Sequence, residues 1–441
     1  MLNLSKNIKL DGDKTIWTVV FLLLIISILV VYSVEGLYST KSHVRNILIG
    51  LASMYAVHKL KFKYFSKLSV VGIIISIFLL VFVYFIGMEI NGAKRWISLG
   101  SLSFQPSDLA KLVVLVFMSR QISKYRDNIN NWKDFCWYIL LPLLIICALI
   151  LPSNFSTSIL VFINGFVLMI FARIKLKFLL HIIIIGIFGV GSLYFASKYI
   201  PSFQQYMPRS VTWVNRIDGY FSPKNDHITD KGHQLNESKI AIKNGGLLGK
   251  GPGKGVQRHF LYAGSSDFVY AIIIEQYGII LGGIIPMVLY LLLYYRSILI
   301  YQKTESVFGS LMVASLSFAF LFQAVINMGV NVGIFPVTGQ TLPLISKGGT
   351  SIIFSCIAIG IILSVSRNSK DRDYEKAAYW YAKTAEQGLA EGAYEIAKLH
   401  NKKLLKDSST DQENYWLDMA YQIDGGESGA AVIKKANELI T

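Results

Sequence analysis

The chain is built around apolar blocks that are each roughly 18 to 25 residues long. An α-helix of that length crosses about 30 Å of hydrocarbon. Charged residues make up 16% of the 441 residues, whereas a soluble domain carries about 25%. The sequence therefore predicts an all-α, polytopic membrane protein and excludes a soluble domain, a disordered chain and a disulfide scaffold.

Reading the blocks in order predicts about ten membrane-spanning helices. They are expected at 15–34, 44–60, 70–89, 106–122, 135–151, 157–172, 178–198, 267–295, 307–332 and 350–367. Lys and Arg are concentrated in every second loop, which places both termini in the cytoplasm by the positive-inside rule. The first block lacks a small-residue cleavage site, so we expect it to remain as an anchor.

The large outer loop, about 199–266, breaks that charge rule. It holds nine Lys and Arg residues against four Asp and Glu residues. Long loops can cross the membrane regardless of charge, or this surface meets an anion such as a phosphate group or an anionic polymer. The net charge of +16 is thus spread over loops, and no nucleic-acid partner is predicted.

Cations and an acid lie together in the outer segment between the third and fourth spans. Lys94, Arg95 and Trp96 suit either an interfacial anchor or a lipid-borne phosphate. Asp108 and Lys111 are three residues apart and share one face of a helix. They are either a neutralising pair that lets the helix enter the membrane or part of a substrate site.

Six glycines occur within the eleven residues 245–255, interleaved with lysines. Glycine lets backbone amides approach an anion closely. The spacing is not that of a nucleotide-binding P-loop. On its own, the segment is a weak indication of an anion site.

Asp267 stands where the large outer loop becomes the eighth span. A partly desolvated carboxylate at such a mouth suits a general base. The alternative is an ordinary helix N-cap, for which Asp is a common residue. Glu275 lies deeper in the same span and is expected to meet a cation or a hydroxyl group.

The segment 327–351 contains two prolines and a pair of glycines at membrane depth. Non-helical backbone there is tolerated only when it is buried in protein or lines a cavity. We therefore expect a re-entrant loop or an outer-leaflet loop beside a site.

Together these stretches resemble the SEDS family, the RodA and FtsW type of peptidoglycan polymerase. The pattern G-A-x-R-W-(x)-x-L-G and then F-Q-P-S-(E/D)-x-A-K is met at 92–111. The pattern GGL-x-G-x-G and then (T/S)-D-F-x-(F/Y)-A is met at 245–271. The segment 327–351 contains four further family patterns, N-x-G, P-V-T-G, L-P-x-x-S and GG-(T/S)-S.

The resemblance implies glycosyl transfer, in which lipid II units are joined into glycan strands on the outer face of the bacterial cytoplasmic membrane. Asp267 would be the catalytic base. The substrate-binding residues would be Lys94, Arg95, Trp96, Gln105, Ser107, Asp108, Lys111, Arg216, His233, Gln234, Lys239 and Ser346. No tightly bound cofactor is expected, and the metal requirement stays open, with Mg²⁺ or Mn²⁺ as candidates.

The resemblance also implies a partner, a single-span transpeptidase of the class B penicillin-binding type, and other division or elongation proteins. Three positions depart from the family pattern: Asn154 replaces an acid, Gln276 replaces a Glu, and Lys347 replaces a Tyr. The form Thr341-Leu342-Pro343 favours a division protein over an elongation protein.

Residues 1–370 are thus assigned to the membrane domain, and 371–441 to a cytoplasmic tail of soluble composition. Tyr379-Trp380 recurs as Tyr415-Trp416, and the tail is similar to Sel1-like helical repeats. It is expected to bind a protein or dock on the membrane domain, or else to be a structural cap.

Two other classes of function fit parts of the sequence. A lipid II flippase would also use broken helices and intramembrane charge, although the polar residues gather on the outer side. A non-catalytic scaffold would explain the loss of the acid at Asn154. A scaffold should tolerate Asp267→Asn, whereas a polymerase should not.

Overall fold

The computed structural model describes residues 10–90, 93–99, 102–207, 209–221, 230–402, 404–405 and 408–423. Gly92 and Gly100 of the first motif, Lys224 and Asp226 of the outer loop, and residues 424–441 of the tail lie outside that part. The chain divides into two compact units, Met1–Val365 and Ser366–Thr441.

Helices dominate the described residues. They are α1 Lys14–Lys59, α2 Lys63–Ile86, α3 Pro106–Lys124, α4 Trp132–Phe135, α5 Leu141–Ile150, α6 Phe155–Phe171, α7 Leu176–Tyr199, α8 Pro201–Tyr206, α9 Ser210–Phe221, α10 Asp230–Gly245, α11 Val269–Gly278, α12 Ile285–Lys303, α13 Val307–Val332, α14 Gly349–Glu386, α15 Ala390–Asn401 and α16 Thr410–Ile423. Two π-helical turns, Cys136–Leu140 and Ile279–Ile284, join α4 to α5 and α11 to α12.

Seven helical segments of the described chain are long and apolar enough to cross a membrane. They are α1, α2, α4 with α5, α7, α11 with α12, α13 and α14. The first two predicted spans are one helix, α1, which bends at Gly36, where φ is 75°. Predicted spans four and six are helical, but α3 carries four charged residues and α6 has only 17 residues. The count of ten is therefore not confirmed.

The all-α expectation is wrong for the segment between α2 and α3. Strands β1 Met88–Ile90, β2 Ala93–Leu99 and β3 Leu102–Phe104 form a three-stranded antiparallel sheet in that order. Met88 pairs with Trp96, and Ile97 pairs with Phe104. Pairing between the strands satisfies the backbone hydrogen-bonding groups of this segment.

Local capping fixes where the helices of the bundle begin. Asp13 caps α1 by accepting hydrogen bonds from the amides of Thr15 and Ile16 at 2.9 and 3.2 Å. The same carboxylate binds Arg296 of α12, so the cap also ties two helices together. Pro106 occupies the first turn of α3, where its missing N–H costs nothing.

The predicted outer loop 199–266 is largely helical. It contains α8, α9 and α10, and α10 packs against α11 and α13. The hydroxyl of Ser238 on α10 donates to the carbonyl of Asn331 on α13 at 2.8 Å. The segment is thus part of the folded bundle.

The glycine-rich loop packs against the end of α11. The amides of Lys250 and Gly251 donate to the carbonyls of Glu275 and Gln276, both at 2.9 Å. At Gly249, where φ is 80°, a Cβ would lie 2.4 Å from the Gln276 carbonyl oxygen. These glycines serve close backbone packing, and the two amides are not available to the anion that the sequence suggested.

Glu275 anchors the same loop from inside the bundle. Its carboxylate is fully buried and accepts hydrogen bonds from the amides of Val256 at 3.0 Å and Gln257 at 3.2 Å. The expected cation is Lys250, whose Nζ lies 3.9 Å away. Most of the compensation for this buried charge therefore comes from backbone amides.

The second compact unit is helical in its described part. α15 and α16 pack around Ala385, Ala393 and Ala420. Small side chains let these helices approach closely. Tyr379 and Trp380 are exposed. The Sel1-like character of the tail stays a prediction.

Candidate active site

The described bundle contains a polar cavity with a volume of about 1010 Å³. Its walls are formed by Arg95, Trp96, Gln105, Asp108, Lys111, Asn154, Thr157, Arg209, Thr212, His233, Gln234, Phe260, Tyr262, Ala263, Ser266, Asp267, Gly339, Gln340, Thr341, Lys347, Gly348, Gly349 and Ser351. Residues in or next to the first turns of α3, α6, α9, α10 and α14 line it. Helix N-termini carry partial positive charge, so the cavity favours an anionic ligand.

Eight residues predicted from the sequence line this one cavity. They are Arg95, Trp96, Gln105, Asp108, Lys111, His233, Gln234 and Asp267. They come from four separated stretches of the chain. The broken segment 333–348 forms a further wall, as expected of a re-entrant loop beside a site.

Asp267 is held by its backbone at the cavity wall. Its carbonyl accepts hydrogen bonds from the side-chain amides of Asn327 at 2.8 Å and Asn331 at 3.0 Å. Asn331 also accepts a hydrogen bond from the amide of Ala271 at 3.0 Å. The N-cap of α11 is Phe268, so the N-cap alternative for Asp267 is wrong. Two asparagines of α13 thus position this carboxylate.

The re-entrant loop passes close to the Asp267 carboxylate. A Cβ on Gly339, where φ is 72°, would lie 3.5 Å from Oδ2 of Asp267. The side chain of the neighbouring Gln340 donates to the hydroxyl of Thr157 at 2.9 Å. This bond ties the loop to the start of α6 and fixes one wall of the cavity.

Asp108 and Lys111 form an ion pair in the first turns of α3. Their Oδ1 and Nζ atoms are 2.9 Å apart, and Asp108 is buried. The second carboxylate oxygen, Oδ2, has no hydrogen-bond partner among the described residues. The pair is neutral overall, and this buried oxygen is left without a partner from the described residues.

Three arginines, Arg95, Arg209 and Arg216, lie close enough to one another for their charges to interact, and Asp267 interacts with two of them. Arg95 Nε and Arg209 Nη1 both donate to the carbonyl of Ser153, at 2.8 and 3.0 Å. Burial, with the charges of Arg209 and Arg216, lowers the pKa of Arg95 to about 10, and the charge of Asp267 opposes the shift. The cluster is therefore short of negative charge, which an anionic ligand would supply.

Arg216 connects this cluster to a second, apolar cavity of about 290 Å³. Burial and the charge of Arg209 lower the pKa of Arg216, and its buried Nε has no hydrogen-bond partner within the described chain. The apolar cavity is lined mainly by Phe155, Ile159, Leu160, Ile163, Val190, Trp213, Ile217, Phe322, Ile326, Phe335, Pro336 and Val337. Gln340 lies on the walls of both cavities.

Four residues predicted to bind substrate are not on the wall of either cavity. Lys94 is exposed, with its Nζ 3.4 Å from the carbonyl of Tyr84. Ser107 is buried and accepts a hydrogen bond from Gln105. Lys239 is exposed. Ser346 is buried and donates to the carbonyl of Ser266.

The sequence did not single out several cavity residues. Arg209 was recognisable only as one of nine loop cations. Phe260 and Tyr262 gave no periodic signal, yet Tyr262 is 92% exposed at the cavity. Asn154, flagged as a departure, caps α6 by accepting a hydrogen bond from the amide of Thr157 at 3.2 Å. An amide performs that capping role as well as a carboxylate.

The described residues contain no group of three or more His, Cys, Asp or Glu side chains placed to hold a metal ion. That donor set does not fit a resident metal. Mg²⁺ commonly binds through one or two carboxylates together with substrate phosphates, and Asp108 and Asp267 are the carboxylates on this wall.

The fold and the site define a helical membrane protein with a charged cavity whose wall includes the carboxylates of Asp108 and Asp267. Residues 13–371 match the FtsW/RodA/SpoVE family of cell cycle proteins, and the chain belongs to that family. It is 31% identical to the probable peptidoglycan glycosyltransferase FtsW of Taylorella equigenitalis, over 74% of this chain and 86% of that one. It is 29% identical to the peptidoglycan glycosyltransferase MrdB of Escherichia coli, over 82% and 95%.

Solved structures share the fold. A structure described as the structural coordination of polymerization and crosslinking by a peptidoglycan synthase complex aligns with a TM-score of 0.68. It is 24% identical and covers 82% of this chain and 99% of its own. The rod shape determining protein RodA of Thermus thermophilus aligns with a TM-score of 0.59 and 22% identity, over 82% and 98%.

Proposed function

We propose that the chain is a glycosyltransferase that polymerises lipid II into peptidoglycan strands at the outer face of the bacterial cytoplasmic membrane. The observation that carries this proposal is the Asp267 carboxylate on the wall of a large polar cavity beside three arginines. Membership of the FtsW/RodA/SpoVE family and the names of the relatives support the same activity.

The reaction needs one proton acceptor and a stabilised leaving group. A hydroxyl oxygen of the acceptor sugar forms a bond to the anomeric carbon of the donor and loses its proton to Asp267. The bond between that carbon and the diphosphate oxygen breaks, and its electron pair leaves on polyprenyl diphosphate. Charge therefore grows on the diphosphate, where preorganised cations stabilise the transition state.

The donor diphosphate is assigned to the cluster of Arg95, Arg209 and Arg216. Arg95 and Arg209 line the polar cavity, and Arg216 lines the apolar one. A lipid-linked diphosphate needs this combination, because its isoprenoid chain requires an apolar wall and its phosphates require cations. The apolar cavity is accordingly assigned to the chain segment next to the diphosphate.

The acceptor sugar is assigned to the wall formed by Phe260 and Tyr262. Both rings are exposed, at 58% and 92%, and they lie within seven residues of Asp267. An aromatic ring offers an apolar face with polar edges nearby, which suits the C–H face of a sugar ring. This arrangement presents the acceptor hydroxyl to the proposed base.

A lipid II flippase remains the main rival, but the cavity favours an enzyme. The charged residues of the cavity lie on β2, in the first two turns of α3, on α10, or just before α9, α11 and α14, whereas alternating access uses a site near the midplane. A non-catalytic scaffold would have no need of the asparagine bonds that hold Asp267.

A class B penicillin-binding transpeptidase is the proposed partner, and both termini are proposed to lie in the cytoplasm.

A role in division is proposed from the Thr341-Leu342-Pro343 form. FtsW and MrdB proteins resemble the chain at similar identity, so identity does not distinguish a division role from an elongation role. Depletion of the protein in cells tests the two roles. Depletion of a division protein should give filaments, whereas depletion of an elongation protein should give round cells.

The direct test supplies labelled lipid II and a divalent cation to the purified protein with its transpeptidase, whose active site is blocked by penicillin. A ladder of glycan strands that a muramidase digests supports the polymerase. An intact complex that makes no ladder but moves labelled lipid II across a liposome membrane supports the flippase instead.

A further inference from the structure

The part of α1 that precedes the bend at Gly36 is bonded to three segments around the cavity. The hydroxyl of Ser27 donates to the carbonyl of Ile345 at 2.7 Å. Arg258 donates to the carbonyl of Ser33 at 2.6 Å. Glu35 lies one residue before the bend and binds Ser265 in the third segment and Lys347 in the segment that also contains Ile345. This end of α1 therefore braces the loops that form the site.

Glu35 and Lys347 form the centre of this brace. Their side chains are ion-paired, and the Glu35 carboxylate also accepts hydrogen bonds from the hydroxyls of Ser39 and Ser265. The backbone amide of Lys347 donates to the carbonyl of Ser265 at 2.8 Å. Ser265 is thus held from its side chain by one member of the pair and from its backbone by the other.

The segment held in this way ends at the proposed base. Ser265 precedes Asp267 by two residues, and the carbonyl of the intervening Ser266 accepts a hydrogen bond from Ser346. The asparagines of α13 hold Asp267 from the opposite side. The segment 265–267 is therefore held on one side by α1 and the re-entrant loop, and on the other side by α13.

We infer that Glu35 and Lys347 are a positioning pair for Asp267. The pair sets the path of 265–267 and so the direction in which the carboxylate enters the cavity, without itself accepting the proton. This inference rests on the proposed function for its kinetic consequence. Lys347 stands where the resemblance leads one to expect a tyrosine, so the pairing belongs to this chain's own sequence.

The kinetic test compares lipid II polymerisation by Lys347→Met, Lys347→Glu, and the charge exchange Glu35→Lys with Lys347→Glu. Misplacement of a catalytic group by about 1 Å can cost about a hundredfold in rate. We expect kcat to fall by about tenfold or more in both single variants, with KM changed by less than about threefold. The charge exchange should recover most of the loss relative to Lys347→Glu.

Arg296→Gln is the matched control, because it removes an ion pair at the other end of α1, with Asp13. It should lower the thermal midpoint while leaving kcat within about twofold. Equal kcat in Lys347→Met and wild type would overturn the inference. So would a folded charge-exchange variant no better than Lys347→Glu.

Hydrogen exchange of the segment 262–268 in the full-length protein separates this inference from the proposed function. In Lys347→Met, exchange there should accelerate by about tenfold or more, while exchange in α2 stays unchanged. Unchanged exchange at 262–268 would overturn the positioning role, whatever the activity. A wild type that makes no polymer would overturn the proposed function, and the exchange result would still decide whether the pair holds the segment.

Discussion

At the scale of single residues, the main feature of the site is a cluster of arginines whose positive charges repel one another. Arg95 and Arg209 share one carbonyl oxygen, that of Ser153. Burial and the neighbouring arginines lower the pKa of Arg95 to about 10, so it stays protonated at neutral pH. A diphosphate would relieve this repulsion, which is the physical basis of the proposed affinity of the cluster for the lipid-linked donor and for the leaving group.

Arg209→Ala is expected to weaken donor binding more than Arg209→Lys. Loss of a charged hydrogen-bond donor to a phosphate costs about 1.5 to 3 kcal/mol, or about tenfold to a hundredfold in KM for lipid II. Competition with free polyprenyl diphosphate should weaken in parallel. Equal KM values for Arg209→Ala and wild type would remove Arg209 from the donor site.

Tyr262→Ala is expected to shorten the glycan strands. Loss of the ring should lower the affinity for the sugar of the growing strand by about three- to tenfold, so strands dissociate earlier. Tyr262→Trp keeps an aromatic face and should retain long strands. Tyr379→Ala is the control, because Tyr379 is also exposed but lies in the tail. Strand length on a denaturing gel is the measurement, and an unchanged ladder for Tyr262→Ala contradicts the assignment.

At the scale of elements, close backbone contact holds the site's supports together. The glycine-rich loop lies against α11, and Asp267 directly precedes the N-cap of that helix. The loop therefore acts on the site through the helix, although its glycines suggested a direct contact with an anion. The sequence pattern alone does not distinguish glycines that let a ligand approach the backbone from glycines that let another backbone segment pack closely.

Gly249→Ala is expected to destabilise the protein by about 2 to 4 kcal/mol. The added Cβ would lie 2.4 Å from a carbonyl oxygen, and φ at this position is 80°. Gly246→Ala is the matched control, since φ is 55° there but no atom lies within 4 Å. It should cost only about 1 to 2 kcal/mol. Thermal unfolding in detergent measures both, and equal losses would contradict the packing explanation.

Much of the fold and site followed from residue patterns, and the exceptions have physical causes. The helices could be located because apolar length decides membrane insertion. The sheet at 88–104 was missed because it lies between spans, where hydropathy gives no signal. The position of Asp267 at the start of a helix was enough to predict that it faces a cavity. The hydrogen bond from Asn327 joins residues some sixty positions apart, and a contact of that kind is visible only in the folded chain.

At the scale of the whole molecule, the polar cavity is formed entirely by the first compact unit. Every lining residue precedes 352, and that unit ends at Val365. The described helices after α14 contribute no residue to the wall of this cavity. Their role is predicted to concern a partner or location in the cell.

Deletion of 390–441 is accordingly expected to leave lipid II polymerisation in detergent within about twofold of wild type. Co-purification and localisation in cells are the properties that should change. A truncated protein that is folded yet makes no polymer would show that the tail is needed for catalysis.

The most direct test of the central claim compares glycan ladders made by wild type, Asp267→Asn and Asp218→Asn. Asp218 is a matched acid that binds Lys198 and Tyr194 outside the cavity. The account predicts long strands from wild type and Asp218→Asn, and a loss of at least about a hundredfold from a folded Asp267→Asn protein. Polymer from Asp267→Asn at the wild-type rate would contradict the assignment of Asp267 as the base.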